Sequence, residues 1–343
     1  MSNLRFTVCI PSYNRAVFLP ALLDSIMAQD FKSFNILVCE DNSPERCEIQ
    51  KIVSSYQEYF PGVITYLENN ENLGYDKNLR KLLENSVGEY TVFMGNDDLM
   101  CAGALTSINE SISLDPSCAV VIRSYASFDK SPLALKQIYR YFPNKKLISP
   151  GVEAITLAYR RAVVISGMTF KTIDARAIAT CKFDGTLLYQ LYLVGMLLAN
   201  KSVVFSPDIV VLRRDGVSPD FGNSESERGK FVPNDQTPDS SIYFIRGMLD
   251  IALHINTSMK VPVFKKIQTD IGNYSYPILS IQARKSPLIF FKYCFDLAKM
   301  GFWKNQLFYL YVIGLFTIGP NNMDVIIKFI KNKLGYTPFF SMK

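Results

Sequence analysis

The first hundred residues alternate between short apolar runs and segments in which apolar residues recur every three or four positions. Four of the runs are predicted to be strands: "RFTVCI", "FNILVCE", "VITYLE" and "YTVF". The segments between them have helical spacing: "VFLPALLDSIMAQ", "CEIQKIVSSYQEYF" and "KNLRKLLENS". Strands that alternate with helices predict an α/β fold in which a doubly wound, mostly parallel sheet is covered on both faces.

Polar residues follow three of these strands. Residues 11–15 follow the first strand, Asp41 follows the second, and Asn96, Asp97 and Asp98 follow the fourth. Ligands of doubly wound sheets bind at the C-terminal ends of the strands, so we expect the three clusters to converge on one edge of the sheet. Two adjacent carboxylates near a core are costly unless something positive binds there. The pattern therefore predicts a binding site.

The pattern loosens beyond residue 115. Two further strands and the helix between them are predicted at 118–128, 202–214 and 186–199. Residues 215–240 are rich in Gly, Ser, Pro and Asp, which predicts a long loop that is either a lid or disordered. The chain after this loop is helical and aromatic. We therefore predict an α/β domain over 1–230 and a helical C-terminal region over 231–343.

Positive charge is concentrated in the C-terminal region. The 343 residues carry a net charge of +6, yet residues 231–343 hold 13 Lys and Arg against six Asp, a net +7. This asymmetry favours an anionic partner surface, and no nucleic-acid-binding signature accompanies it, so a membrane surface is predicted and nucleic acid is not. The apolar centre of 305–322 is too short to span a bilayer, but lysines interleaved with aromatic residues are typical of interfacial helices. An ordinary helical subdomain with an aromatic core is the alternative.

Several chemistries are excluded by what the sequence lacks. The seven cysteines form no CxxC pair and His254 is the single histidine, so no zinc site is predicted. There is no Gly-x-Ser-x-Gly, Gly-x-Gly-x-x-Gly or P-loop motif. Carboxylates at strand ends instead suit Mg²⁺ or Mn²⁺ bound together with substrate phosphates. Scattered cysteines and the absence of a signal peptide predict a cytoplasmic protein.

Three segments together carry a resemblance to a known family. They are "TVCIPSYNR", "FNILVCEDNSPE" and "NLGYDKNLRKLLENSVGEYTVFMGNDD". In this order and spacing, the chain resembles the family 2 glycosyltransferases over about residues 5–215. The resemblance implies a GT-A fold, which is a Rossmann-like doubly wound sheet, and a nucleotide-diphosphate-sugar donor of the kind used in bacterial surface-polysaccharide synthesis.

The resemblance also implies roles for individual residues near the nucleotide. It places Pro11, Tyr13 and Arg15 beside the nucleotide. Asp41 matches the family acid that contacts the imide edge of a pyrimidine base, which favours a UDP-, CDP- or dTDP-sugar. Lys77 matches a basic position near the base and the phosphates.

The segment Asn96-Asp97-Asp98 matches the acidic "DxD" element of the family. This match implies that Asp98 coordinates Mn²⁺ or Mg²⁺ at the diphosphate and that Asn96 or Asp97 contacts the ribose. Such a cation offsets the charge that develops on the leaving diphosphate. Asn96 departs from the first Asp of the family and removes one charge. Arg213 and Arg214 resemble residues that hold the diphosphate, with a solvated strand end as the alternative.

The residue that deprotonates the acceptor departs from the family. Inverting relatives carry Asp or Glu before a helix, whereas this chain has Tyr189 and Gln190 there, and neither is a good base at neutral pH. Asp184 is the nearest carboxylate and is predicted to be the base, with a turn or helix N-cap as the alternative role. The stereochemical outcome, inverting or retaining, stays open.

The resemblance thus implies a metal-dependent hexosyl- or deoxyhexosyltransferase. Its acceptor would be a hydroxyl of a glycan, such as a lipid-linked O-antigen or capsule intermediate, reached from the cytoplasmic face of the inner membrane. One alternative is a nucleotide-sugar-binding protein of the same fold that has lost its base. Another is a nucleotidyltransferase, which should carry a Gly-rich loop with Arg and Lys where this chain has "PSYNRAVFLP".

Overall fold

The computed structural model describes residues 4–217 and 219–334. Within these residues, ten strands form one sheet: β1 (Phe6–Ser12), β2 (Phe34–Glu40), β3 (Ile64–Glu68), β4 (Tyr90–Phe93), β5 (Leu99–Met100), β6 (Cys118–Phe128), β7 (Leu135–Tyr139), β8 (Lys146–Ile148), β9 (Thr169–Lys171) and β10 (Ser202–Arg214). Their order across the sheet is β3-β2-β1-β4-β9-β6-β10-β5, with β7 beside β6 and β8 beside β10.

The sheet is parallel in its first half and mixed in its second. β3, β2, β1 and β4 run parallel to one another, as predicted. β9 pairs antiparallel with both β4 and β6, and it connects this half to the parallel pair of β6 and β10. The six predicted strands are confirmed. The short β5, β7, β8 and β9 were not predicted; β5, β8 and β9 have only two or three residues, too few to show a periodicity.

Helices cover both faces of the sheet. They are α1 (Leu19–Met27), α2 (Arg46–Tyr59), α3 (Tyr75–Asn85), α4 (Ala104–Ile112), α5 (Val152–Ala158), α6 (Thr172–Ala177), α7 (Tyr189–Leu197), α8 (Pro238–Ser258), α9 (Phe264–Asn273), α10 (Tyr276–Ala283), α11 (Pro287–Lys299), α12 (Gln306–Thr317) and α13 (Gly319–Leu334). α1, α2 and α4 bury their apolar side chains against one face. α3, α5 and α7 bury theirs against the other, which makes the sheet doubly wound.

The C-terminal helices extend the second of these two cores. Ile251 of α8 and Leu297 of α11 belong to the same hydrophobic cluster as Leu79 of α3. Residues 219–236, which precede α8, form neither helix nor strand, yet Glu227 in this loop is buried. No helix in the described ranges, 4–217 and 219–334, is long and apolar enough to cross a bilayer.

The register of the parallel strands determines where the polar clusters lie. Ser12 at the end of β1 is opposite Glu40 at the end of β2, and Cys9 of β1 is opposite Phe93 at the end of β4. The residues that follow these three strands therefore leave the sheet at one edge.

Candidate active site

A cleft of about 490 Å³ lies at this edge of the sheet. It is lined by nine residues that the sequence had singled out: Pro11, Tyr13, Arg15, Asp41, Asn96, Asp97, Asp98, Arg213 and Arg214. The structure thus brings the three strand-end clusters together with the end of β10. Residues 163–166 and the loop after β10 complete the walls.

The turn after β1 is tied to the acidic cluster after β4. Asn14 and Arg15 have φ angles of 53° and 65°, in a left-handed region that asparagine adopts more readily than arginine. Nη1 of Arg15 lies 2.8 Å from Oδ2 of Asp97. Nδ2 of Asn96 donates to the carbonyl oxygen of Asn14 at 3.0 Å. These contacts hold the Arg15 guanidinium at the cleft in spite of its unfavourable backbone conformation.

Asp41 is a buried hydrogen-bond acceptor at the N-terminus of α3. Its Oδ1 accepts from Nδ2 of Asn69 at 2.6 Å and from the backbone N–H of Leu73 at 2.8 Å, and its Oδ2 accepts from the N–H of Gly74 at 2.9 Å. Burial raises the pKa of the Asp41 carboxyl to about 6, although these donors favour its charged form. The side chain is therefore fixed in one orientation at the cleft wall.

Asp98 is buried at the base of the acidic cluster. Its Oδ1 accepts from the backbone N–H of Arg214 at 2.8 Å, and its Oδ2 accepts from the hydroxyl of Ser166. Burial, and then the charge of Asp97, raise the pKa of the Asp98 carboxyl to about 7. A carboxylate offers about four lone-pair sites, so Asp98 retains acceptor capacity beyond these two bonds.

The charges of the cleft fit a site that takes up a cation. The carboxylates that line it are Asp41, Asp97, Asp98, Asp215, Asp220 and Glu227. The guanidinium groups that line it are those of Arg15, Arg213 and Arg214. This surplus of negative charge would repel a diphosphate that arrived without a cation. Across residues 4–217 and 219–334, no group of three or more His, Cys, Asp or Glu could hold a metal ion. A cation here would use one or two carboxylates and take its other ligands from phosphate and water, as Mg²⁺ commonly does.

The two arginines that end β10 are packed at the cleft. Nε of Arg214 donates to the carbonyl oxygen of Asp97 at 3.0 Å, and its guanidinium lies 4.4 Å from the ring centroid of Phe18. Arg213 forms an ion pair with Asp215. Both arginines are therefore held in place beside the acidic cluster.

The loop after β10 forms a wall of the cleft that sequence reasoning did not predict in detail. Oε1 of Glu227 accepts from the backbone N–H of Tyr75 at 2.7 Å, and Oε2 accepts from the N–H of Gly222 at 2.9 Å. The ring of Phe221 packs edge-to-face on Tyr75, with centroids 5.6 Å apart. A carboxylate at the N-terminus of α3 is also favoured by the helix dipole. Glu227 thus fastens the loop to the helix end that positions Asp41.

Another wall depends on two residues that sequence reasoning missed. Ser166, besides its bond to Asp98, accepts from the backbone N–H of Gly95 at 2.9 Å. Arg123 of β6 is fully buried, and it donates to the carbonyl oxygens of Ser166 and Val164, both at 2.6 Å. The available signal was an arginine in the middle of an apolar strand, "CAVVIRSYASF". Such a residue is normally buried only with hydrogen-bond partners.

Two predicted site residues, Asp184 and Lys77, are not among the residues that line the cleft. The carboxylate of Asp184 accepts two hydrogen bonds from the guanidinium of Arg80, at 2.6 and 2.9 Å. This bidentate ion pair already uses the carboxylate. The position of Asp184 therefore does not support the predicted role of base.

Asp76 and Gln190 organise the region where the base was expected. The Asp76 carboxylate accepts three backbone hydrogen bonds from the segment 186–189, each at 2.9 Å. Burial raises the pKa of this carboxyl to about 7. Nε2 of Gln190 donates to the carbonyl oxygen of Val163 at 3.1 Å, so this side chain supports a segment of the cleft wall.

A family profile matches part of the first half of the chain. Residues 7–163 match the profile of glycosyl transferase family 2. GalNAc(5)-diNAcBac-PP-undecaprenol beta-1,3-glucosyltransferase of Campylobacter jejuni is 31% identical over 104 residues, which cover 30% of this chain and 33% of that protein. Abequosyltransferase RfbV of Salmonella typhimurium is 29% identical over 97 residues, which cover 28% of this chain and 29% of that protein. The matched segment spans about a third of the length of these curated relatives.

Solved structures share the fold over most of the chain. TarS 1-349 of S. aureus, in complex with UDP-GlcNAc, has a TM-score of 0.60 at 16% identity and covers 86% of this chain and 80% of its own. The mannosyltransferase PcManGT of Pyrobaculum calidifontis, in complex with GDP-Man and Mn²⁺, has a TM-score of 0.52 at 16% identity and covers 93% and 88%. The predicted GT-A fold is thereby confirmed.

Proposed function

Because residues 7–163 match the profile of glycosyl transferase family 2, we propose that the chain transfers a sugar from a nucleotide-diphosphate-sugar donor to a hydroxyl of a glycan acceptor. The observation that carries this proposal is the convergence of Asp41, Arg15 and Asp98 in one cleft at the C-terminal ends of β1, β2 and β4. Asp41 provides a hydrogen-bond acceptor for the nucleobase, Arg15 provides positive charge for phosphate, and Asp98 provides a buried carboxylate. A nucleotide-diphosphate-sugar donor requires these three groups.

In this proposal the nucleobase lies against Pro11 and Tyr13 and is recognised by Asp41. The Asp41 carboxylate is held by three donors and can accept from the imide N–H of uracil or thymine, or from the N4 amino group of cytosine. A UDP-, CDP- or dTDP-sugar is therefore the expected donor. Lys77 has no part in the proposal, because it does not line the cleft.

The diphosphate is proposed to lie between the acidic cluster and the arginines that line the cleft. Asp98, with Asp97 beside it, would hold a divalent cation, Mn²⁺ or Mg²⁺, which supplies charge neutralisation of the leaving diphosphate. Arg15 and Arg214 add fixed positive charge and orient the phosphates. The structure of PcManGT with GDP-Man and Mn²⁺ supports a cation in this fold.

The acceptor is proposed to be a lipid-linked intermediate of a bacterial surface glycan, reached at a membrane surface. Large apolar side chains are exposed on α11 and α12, between these helices and on α13: Leu288, Phe291, Phe295, Trp303, Leu310, Ile313, Phe316, Val325 and Phe329. Lys299 lies over the ring of Phe295 at 4.3 Å. Exposed lysines beside aromatic side chains suit the headgroup region of an anionic bilayer. The Campylobacter jejuni relative is named for an acceptor linked to undecaprenol through PP.

The donor and cation can be tested together by thermal shift. We expect a UDP-, CDP- or dTDP-sugar to raise Tm in the presence of Mn²⁺ and EDTA to abolish the rise. Asp98→Ala should remove the Mn²⁺-dependent rise, whereas Glu58→Ala, an exposed carboxylate on α2, should retain it. A Mn²⁺-dependent rise that survives in Asp98→Ala would contradict the metal assignment. No rise with any nucleotide sugar would refute the proposed activity.

A second candidate function is a protein that binds the nucleotide sugar without transferring it. It is favoured by one observation, the ion pair with Arg80 that occupies Asp184, the carboxylate predicted to be the base. Incubation with radiolabelled donor, Mn²⁺ and membrane-extracted glycans separates the two functions. Labelled glycan or hydrolysed donor supports the transferase, and saturable binding without either product supports the binding protein.

The membrane surface has its own test in sedimentation with anionic vesicles at low salt. The unmodified chain should pellet, and the double variant Leu310→Ser, Phe316→Ser should remain in the supernatant. Val87→Ser, which removes an apolar side chain exposed elsewhere, is the matched control and should pellet. An unmodified chain that does not pellet would overturn the membrane proposal and leave the donor proposal untouched.

A further inference from the structure

A second cavity, of about 360 Å³, adjoins the active-site cleft. Val163 and Val164 line both, so the two spaces are separated by a short stretch of backbone that Arg123 and Gln190 hold in place. The remaining walls come from β6, β7 and the C-terminal helices α8, α9, α10, α12 and α13. A ligand bound in this cavity would therefore lie next to a donor bound in the active-site cleft.

The walls of the second cavity are apolar and rich in tyrosine. The tyrosines are Tyr125, Tyr139, Tyr141, Tyr274, Tyr276 and Tyr311. Among the described residues, its only charged lining side chains are Arg160 and Arg161, and no Asp or Glu lines it. Asp270, behind them, lies 2.9 Å from Nε of Arg160 and 3.5 Å from Nη1 of Arg161. Because two guanidinium groups share this carboxylate, the three-residue cluster keeps a net positive charge.

Arg160 is arranged as a preformed donor. Its guanidinium carbon lies 3.3 Å from the ring centroid of Tyr274. Its Nη2 is buried and has no hydrogen-bond partner within 4–217 and 219–334. A buried guanidinium N–H without an acceptor is costly, and an anionic ligand would supply the acceptor. A flat guanidinium stacked on an aromatic ring also loses little freedom when a phosphate binds.

The cavity reaches the exposed apolar surface of α13. Ile330 lines the cavity and is 43% exposed, and its neighbours Ile326 and Phe329 are also exposed. Apolar side chains therefore continue from the cavity to the surface proposed above to meet the membrane. A ligand with a phosphate in the cavity could place an apolar chain along this path.

We propose that the second cavity is the acceptor site and that it binds the phosphate or diphosphate group of a lipid-linked acceptor. The anionic group lies on Arg160 and Arg161, sugar rings stack on the tyrosine walls, and the lipid leaves beside Ile330. The tyrosines suit sugars because each presents an apolar face and a polar edge. The assignment of the ligand as acceptor rests on the proposed function, whereas binding of a lipid phosphate does not.

The test uses calorimetric titration of the full chain with farnesyl diphosphate, inorganic pyrophosphate and farnesol, all in EDTA. EDTA removes the cation on which diphosphate binding in the active-site cleft would depend. We expect farnesyl diphosphate to bind more tightly than either other probe. Arg160→Gln should weaken it by at least about tenfold, because a hydrogen bond to a charged group is lost. Ile278→Glu, which adds a carboxylate to the half-buried lining, should weaken it similarly, and Arg246→Gln, an exposed arginine on α8, should not.

Three outcomes would overturn the proposal: equal affinity for farnesyl diphosphate and pyrophosphate, equal affinity for farnesyl diphosphate and farnesol, or unchanged affinity in both Arg160→Gln and Ile278→Glu. The nucleotide-sugar thermal shift with Mn²⁺ is measured on the same variants and should be unaffected. If the unmodified chain shows no thermal shift with a nucleotide sugar but binds farnesyl diphosphate in a way that depends on Arg160, the proposed function alone is refuted. A normal donor shift without lipid-phosphate binding would refute the acceptor site alone.

Discussion

Glu227 offers a sharp test of how the cleft is built, because one side chain fastens the loop 219–236 to α3. In Glu227→Ala the backbone N–H groups of Tyr75 and Gly222 lose their acceptor. Each hydrogen bond to a buried carboxylate is worth about 1.5–3 kcal/mol, so the closed loop should lose roughly 3–6 kcal/mol relative to an open one. Since about 1.4 kcal/mol is a factor of ten, amide exchange in the loop should accelerate by at least about a hundredfold.

Hydrogen–deuterium exchange read by mass spectrometry measures this directly. Exchange in β1 and β2 should be unchanged, because the opening is local. In Glu227→Gln, which keeps one oxygen acceptor, the loop should exchange at a rate between those of the unmodified chain and of Glu227→Ala. Glu225→Ala is the matched control: it removes an exposed carboxylate two residues away, and its exchange should equal that of the unmodified chain. Unchanged loop exchange in Glu227→Ala would refute the reasoning.

Three further predictions concern carboxylates at or near the cleft. Burial holds the pKa of Asp41 at about 6, and recognition of the nucleobase needs the charged carboxylate, so the apparent Kd of a UDP-sugar should be about tenfold higher at pH 5 than at pH 8. A Kd that does not change with pH would contradict the role of Asp41 in recognising the nucleobase. Asp184→Asn should keep donor turnover within about tenfold of the unmodified chain, and it should cost about 1 kcal/mol of unfolding free energy in urea because it weakens the ion pair with Arg80. A hundredfold loss of turnover in the folded variant would instead support Asp184 as the base. Asp76→Ala should cost about 3 kcal/mol in the same urea titration, because three buried N–H groups lose their acceptor; a cost below about 1 kcal/mol would show that the carboxylate is dispensable.

Pro11, Asp41 and Asp98 follow predicted strands, and the parallel order of β2, β1 and β4 places them in one cleft. Asp184 is only near the expected position of the base along the chain. Proximity in sequence does not decide which cation a carboxylate meets, and Arg80 lies 104 residues away.

The residues that sequence reasoning missed each have a partner that is distant in sequence. Glu227 contacts Tyr75 across 152 residues, and Arg123 contacts Ser166 across 43. Neither partnership has a periodicity or a spacing by which a sequence could show it. A polar residue in an apolar or loop segment only indicates that some partner exists.

By itself, the sequence determined the alternation of strands and helices, and with it the edge at which the acidic clusters meet. This is so because the periods of two and 3.6 residues and the topology of parallel connections are local or nearly local rules. The packing of α8 to α13 against the sheet is not local, since any apolar helix face can be buried against many others. Only the tertiary structure therefore decided that Glu227 fastens the loop 219–236 to α3, that Asp184 pairs with Arg80, and that Arg160 lines a second cavity beside the cleft.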